Sequence, residues 1–337
     1  RMARKTAQQR RIERLISEQT APIQRAFTQA MAKASGAIDR AALLRLLQQG
    51  DIERAIQLFR IDRGVMFPIE RAIQDALIGG GLSVTQDLPK GIAGRFGFDG
   101  NHPRAVAFAQ GQAAQLVTNV MDDAILNARA VITDGLSTNR SLNSVARDLV
   151  GRRIGQRRVG GIIGLTEQQT DRMINLRSML QDPDRIGEYF NGNTPRYIES
   201  NRKFDKLVRR AIRDGKSLSG ADVDRVAEAY RSKAGLARAK RVARNEAFTA
   251  QATGRNEAYQ QLLDDGKVES VSVRWQHNLS ENARKDHEDM SGTVIQLGET
   301  FNFGGVQMKY PHDPAGGPVH SVGCRCIAVH RVKLPRD

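Results

Sequence analysis

The sequence predicts a mainly α protein, a long helical body followed by a small C-terminal α+β module. Three observations lead to this. Apolar residues recur at helical spacing from Ile23 to Leu263. Past Asp264-Asp265-Gly266 the pattern changes to β-branched and aromatic residues in partial alternation (Val268, Val271, Val273, Trp275). The same final stretch also gathers the single Trp, both Cys and five of the six His. Three consecutive regions are expected: 1–104, helical with a Gly-rich loop; 105–266, a basic helical body; and 267–337, the α+β module.

Taken in order, Ile23, Phe27, Ala30, Met31 and Ala34 mark a helix that Gly36 interrupts. Ala37–Gln49 is apolar on one side and stops at Gly50, and Asp51 suits the N-cap of Ile52–Arg60. Val65–Leu77 reads as a helix. Gly79-Gly80-Gly81 and the Gly- and Pro-rich residues up to Pro103 read as a flexible loop, without the GxxxxGK[ST] pattern of a phosphate loop. Ala105–Asp134 carries a long apolar stripe through Val106, Ala109, Ala113, Leu116, Val120, Ala124 and Val131. Ser141 caps a short helix to Val150, and a basic, glycine-rich stretch follows to Gly164. Thr166 and Gln169 form a capping-box pattern ahead of Met173, Leu176 and Leu180. Tyr197–Asp214 has a clean stripe (Phe204, Leu207, Val208, Ala211, Ile212). Ser219 or Asp222 begins a helix to about Lys233, and a second long helix covers Leu236–Leu263. In the tail we expect a strand at 268–275 and a short polar helix or turn within Ser280–Met290. A hairpin should pair Thr293–Leu297 with Val306–Tyr310, followed by a loop at Pro311–Pro318 and a last strand, Cys324–Val332.

The formal charge of +15 suits contact with a polyanion, nucleic acid first. Between Arg196 and Arg244 fifteen Lys/Arg stand against six Asp/Glu, so the basicity is concentrated there. Arg202, Lys203, Lys206, Arg209, Arg210, Arg213, Arg238, Lys240 and Arg241 are the candidate DNA contacts. Solvated basic faces are the alternative. Arg1, Arg4, Lys5, Arg10, Arg11 and Arg14 make a basic arm that could touch DNA or a protein. No run approaches the roughly eighteen apolar residues of a membrane span, and no apolar signal segment opens the chain. The first residue is Arg, which implies a true start upstream. Two Cys one residue apart make no disulfide framework and fit a reducing compartment.

On a strand, Cys324 and Cys326 would face one side with Cα atoms about 7 Å apart, at or past disulfide reach. A metal between them is more plausible. Zinc, the cofactor such a set would take, wants four N or S ligands. His287, His320, His312 and His330 are the candidates to complete them, and we take His287, His320, Cys324 and Cys326 as the set. Two buried thiols in a small β core are the bland reading. A catalytic reading has His277, His287 and Glu288 as acid and base on a phosphodiester, but no paired carboxylates or HNH-type spacing accompany them, so we expect no enzyme.

Ala283-Arg284-Lys285-Asp286-His287, then Met290-Ser291-Gly292, a Pro-rich loop and Cys324-Arg325-Cys326 resemble the Mu F-like, or head-morphogenesis, minor head proteins of tailed bacteriophages. Upstream, Ala243-Arg244-Asn245-Glu246-Ala247 resembles the family's Ala-Arg-Thr-Glu helix, with Asn245 in place of Thr; Ser291 departs from the family's Asp. The likeness covers roughly 140–332. It implies a structural protein inside the virion capsid, present in the host cytoplasm during assembly. Its partners would be the portal protein, the major capsid or scaffold protein and double-stranded DNA, with no membrane. It further implies that His287, Cys324 and Cys326 stabilise the module and that Arg244 and Glu246 form an ion pair or cap; Trp275, on the expected strand, is read as structural. The alternatives are a metal-dependent nuclease using the His287 region and a DNA-binding protein outside any virion.

Overall fold

The computed structural model describes residues 5–155, 157–191, 201–278 and 283–335. Thirteen α-helices appear among them. They are α1 (Ala7–Ala37), α2 (Arg40–Gln48), α3 (Ile52–Gln57), α4 (Phe67–Leu82), α5 (Lys90–Ala93), α6 (Pro103–Ser137), α7 (Leu142–Val150), α8 (Glu167–Gln181), α9 (Glu188–Asn191), α10 (Arg202–Arg213), α11 (Gly220–Asp264), α12 (Lys285–Asp289) and α13 (Gly317–Ser321). The strands are β1 (Arg152–Ile154), β2 (Arg157–Val159), β3 (Ser270–Gln276), β4 (Val294–Gln296), β5 (Phe301–Phe303), β6 (Val306–Met308) and β7 (Ile327–Lys333). The expected mainly α architecture with a small C-terminal α+β module is what forms. The basic residues Arg1 and Arg4, the start of the expected helix at Tyr197 and the expected turn at 280–282 lie outside the described residues.

The caps read from sequence behave as their chemistry requires. The Asp51 side chain accepts from the Arg54 N–H and that of Ser141 from the Ser144 N–H. Thr166 and Gln169 make a reciprocal capping box, each side chain taking the other's backbone N–H. Each satisfies amides that the first helical turn leaves without a partner.

The chain divides into two compact units built from interleaved stretches, 1–26, 68–115 and 240–337 in one, 27–67 and 116–239 in the other. The expected regions were consecutive. The first unit contains the C-terminal module, where β3 is the central strand of an antiparallel sheet ordered β4-β3-β7 and β5 and β6 form a separate hairpin. Val271, Val273 and Trp275 alternate inward along β3, and Trp275 is fully buried among Phe301, Phe303, Met308, Tyr310, Cys324 and Cys326. In the second unit the core has a charged centre. Asp148 on α7, wholly buried, accepts from Arg140 (2.7 Å), Arg177 (2.7 Å) and Arg231 (2.5 Å).

Several expectations are corrected. Gly79-Gly80-Gly81 is not a loop: α4 continues through it. A Cβ on Gly80 would lie 2.7 Å from the Gln251 carbonyl oxygen, and one on Gly254 would collide with the Leu77 carbonyl. The glycines let α4 and α11 approach backbone to backbone, a use of absent side chains rather than of flexibility. The two helices expected around Gly235 are one helix. A single glycine costs about 1 kcal/mol inside a helix, less than the burial of Tyr230, Ala234, Ala239 and Ala243 around it returns. Residues 152–154 and 157–159 pair as an antiparallel two-stranded sheet that the glycine-rich composition hid. The tail hairpin joins Phe301–Phe303 to Val306–Met308 across Gly304 and Gly305, both at positive φ, while Val294–Gln296 pairs with β3. Residues expected as a loop at 311–318 supply a 3-10 turn (Pro314–Gly316) and the start of α13. The last strand begins at Ile327, so Cys324 and Cys326 precede it.

Candidate metal centre in the C-terminal module

Three segments of the first unit deliver the site. The short helix α12 presents His287, the turn after α13 carries Cys324, and the chain entering β7 carries Cys326. All three are buried. His287 Nδ1 lies 3.4 Å from Cys324 Sγ and 3.6 Å from Cys326 Sγ. One metal bound by an imidazole at about 2.0 Å and a thiolate at about 2.3 Å in tetrahedral geometry would set these atoms about 3.6 Å apart. The ligand atoms of His287, Cys324 and Cys326 all lie within 4.8 Å of one another.

The other ring nitrogen of His287, Nε2, is 3.1 Å from His320 Nδ1, and the two rings stack at 5.3 Å with planes 1° apart. His320 Nδ1 is also 3.7 Å from Asp286 Oδ2. Asp286, His287 and His320 thus form a second candidate group through the opposite edge of the same imidazole. The buried Cys-containing group suits zinc better, because thiolates are soft ligands and Asp286 is exposed. In that arrangement His287 Nε2–H donates to His320, the outer-shell bond that fixes a ligand's tautomer. His320 then stands behind His287, away from the sulfurs.

His312 stands on the sulfur side. It is 1% exposed, neither ring nitrogen has a hydrogen-bond partner, and it interacts with the Cys324 thiol. Its backbone adopts φ +68, a strained region for a residue with a side chain. The Asp313 carboxylate locks that turn by accepting from the N–H groups of Lys309 (2.7 Å) and Ala315 (3.0 Å). The ring stacks on Phe248 at 4.6 Å. His330 is buried against Tyr259 (4.3 Å between ring centroids), with burial pushing its pKa well down.

The two thiols are biased in opposite directions. The Cys326 N–H donates to Cys324 Sγ (3.3 Å), and the Trp275 indole and the Asn278 backbone act on Cys326. The Trp275 Nε1–H is buried with no hydrogen-bond partner of its own. Between the thiols, the hydrogen bond from Cys326 and the proximity of His287 pull Cys324 down, while that shared proton and burial push Cys326 up. Edge-on Trp275 (5.2 Å, 90°) and tilted Phe303 (5.1 Å) wall the His287 ring off from water. Two thiolates and two neutral imidazoles would leave a bound Zn²⁺ electrically balanced, which burial demands.

The remaining expected residues fall as follows. Arg202, Lys203, Lys206, Arg209, Arg210 and Arg213 are exposed on α10, whose Phe204, Val208 and Ala211 are buried. Lys240 and Arg241 are exposed on α11. Arg238 is buried and donates to Asp123 (2.6 Å). Arg244 lies over the Phe248 ring (5.6 Å). Glu246 is buried, accepts from Gln112 (2.9 Å), and has its pKa raised by burial against the hydrogen bonds of Gln112 and Asn245. Arg244 and Glu246 therefore turn to different neighbours.

Residues 202–329 match the family described as Phage Mu protein F like protein, a span that opens on α10 and closes within β7. The chain thus carries a Mu F-like region over these residues. The match includes the Arg244 helix, His287 and both Cys; the Gly161–Thr166 stretch lies outside it. The search of curated proteins and the search of solved structures each find no match.

Proposed function

We propose that this protein is a minor, inner-capsid component of a tailed-phage virion that associates with the portal during head assembly. In this reading it lies beside packaged DNA and assists packaging or ejection. The observation that carries the reading is the Mu F-like match over residues 202–329. The charge distribution supports it: α10 buries one apolar face and turns six cations outward, a surface suited to phosphates or to an acidic partner such as the portal, the scaffold or the major capsid protein. Among the described residues no helix is long and apolar enough to cross a membrane.

The module has a structural task in this proposal. Zinc held by His287, Cys324 and Cys326, with His312 the candidate fourth ligand if its ring moves closer and His320 orienting His287, pins α12, the turn after α13 and the entry to β7 together. The metal supplies cross-linking free energy to a small sheet. The nuclease reading needs an imidazole that reaches solvent, yet His287 is 1% exposed with its two ring nitrogens turned to sulfur and to His320. Purified protein incubated with duplex DNA and divalent metals should therefore leave the DNA intact, and cleavage that disappears in His287→Ala would overturn this reading. Mass spectrometry and a density map of purified particles test the placement. The chain should be present in few copies at the portal vertex, and its absence would favour a DNA-binding protein outside the virion.

A further inference from the structure

A pocket of about 370 Å³ in the second unit is lined by Arg40, Arg147, Arg152, Arg153 and Arg158, with Gly151 at its base. Arg40 opens α2, Arg147 lies near the end of α7, and the other three arginines stand on the β1–β2 hairpin. Arg153 and Arg158 are direct cross-strand partners, a placement that like charges destabilise. Arg147 and Arg152 are answered by Asp224 (3.4 Å) and Glu228 (3.0 Å). Arg40 meets only the neutral Asn143 Oδ1 (2.8 Å), and Arg153 only the Gly155 carbonyl (3.0 Å). Among the described residues no carboxylate forms an ion pair with Arg40, Arg153 or Arg158. Asp39 is the nearby acid, and its carboxylate is engaged in capping α2 at Ala41. Burial, then Arg40 and Arg153, lower the Arg158 pKa. Asp39 and the C-terminal end of α7 together offer roughly one and a half negative charges, less than the three cations carry.

The backbone holds this repulsion in place. Gly151 sits at φ +74, and a Cβ there would lie 2.7 Å from the Gly161 nitrogen and collide with the Val159 carbonyl. A Cβ on Gly161 would lie 2.8 Å from the Leu149 carbonyl oxygen. Only glycines let the hairpin fold back on the end of α7, so the arginines cannot relax apart by moving its base.

We propose that this pocket seats successive backbone phosphates of duplex DNA. Guanidinium groups match phosphate oxygens in geometry and charge. Several separated cations suit a chain of single charges better than one small anion, and the Arg147 and Arg152 side chains that line the pocket are solvent-exposed. This site is separate from α10. The inference takes its choice of polyanion from the proposed function, but its test uses purified full-length chain without particles, so either can fail alone.

The test is duplex-DNA affinity against salt. Each phosphate contact contributes about 0.9 to the slope of log K on log salt, so Arg153→Gln with Arg158→Gln should flatten the slope by about 2. Lys33→Gln with Arg60→Gln, exposed cations of the same unit, should leave it nearly unchanged. The double variant should melt no lower than the parent, because facing charges are gone. If it melts lower, Arg40→Gln on α2 decides, with a slope reduced by about 1 supporting the site and an unchanged slope overturning it. An equal fall in the control pair reduces the effect to charge count and overturns the proposal. Inorganic phosphate at constant ionic strength is the second arm. Melting-point gain that the double variant loses, together with an unchanged DNA slope, would make this a free-anion site and overturn the DNA assignment.

Discussion

Asp148 and His287 are both buried polar side chains ringed by groups suited to hold them, yet the two rings close differently. Around Asp148 the charges meet within the protein. Burial alone would push its carboxyl up, but Arg231, Arg177 and Arg140 together hold it below the usual carboxylate range. Asp224 extends the network, accepting from Arg177 (2.8 Å) and Ser144 (2.6 Å). Around His287 the groups gathered are two sulfurs, of which Cys324 is the one drawn toward the thiolate, with His312 acting on it from nearby. In the first ring the charges are answered by protein groups, although Arg140 Nε, Arg177 Nε and Arg231 Nη2 find no hydrogen-bond partner among the described residues. The second offers a set of ligand atoms close enough together for one cation to bridge. A buried cluster is thus read less from its members than from whether their charges are answered within the protein.

The largest effect that can break this contrast is Asp148→Ala. It leaves three arginines facing one another in a dry core and should cost about 3–5 kcal/mol, seen as a fall in the denaturant midpoint. A loss under 1 kcal/mol would mean the network is not what holds α7, α8 and α11 together. Chelation comes next, because metal binding there is folding free energy. It should expose Trp275, read by fluorescence, while far-ultraviolet helical signal persists. His312→Ala should weaken zinc affinity more than His320→Ala, for which an outer-shell role implies about 10–100-fold; the reverse order would exchange their positions. The smallest effect is at Glu246. Its folded pKa is raised, so the folded state holds the proton longer, and stability is fully present below the ordinary carboxylate pKa and lost as pH rises through the folded value. Glu246→Gln should remove that decline and raise the melting point slightly at neutral pH, and an unchanged pH profile would contradict the assignment.

Much of this was legible in the sequence because the signals were local. Thr166 and Gln169 make a capping box wherever a helix starts, and the Phe204, Val208, Ala211 stripe defines one face of α10 without knowledge of its neighbours. The glycines were not legible, since Gly80 and Gly254 are required by a helix distant in sequence. The hairpin register was misread because Gly304 and Gly305 turn the chain between shorter strands than the β-branched pattern suggested. In the site, His287, Cys324 and Cys326 could be grouped from residue type. The separate placing of His312 and His320 could not, because both flank the same loop and only the fold sets His320 against His287 Nε2 and His312 near Cys324.

The central claim is that the Cys/His cluster holds one tetrahedral metal. Elemental analysis of full-length protein, with cobalt substitution to read the coordination, tests it most directly. The account expects one zinc per chain, a tetrahedral cobalt–thiolate spectrum, and loss of both when Cys324 and Cys326 are replaced by Ser. Protein purified without zinc, whose melting point neither added zinc nor chelator changes, would contradict it.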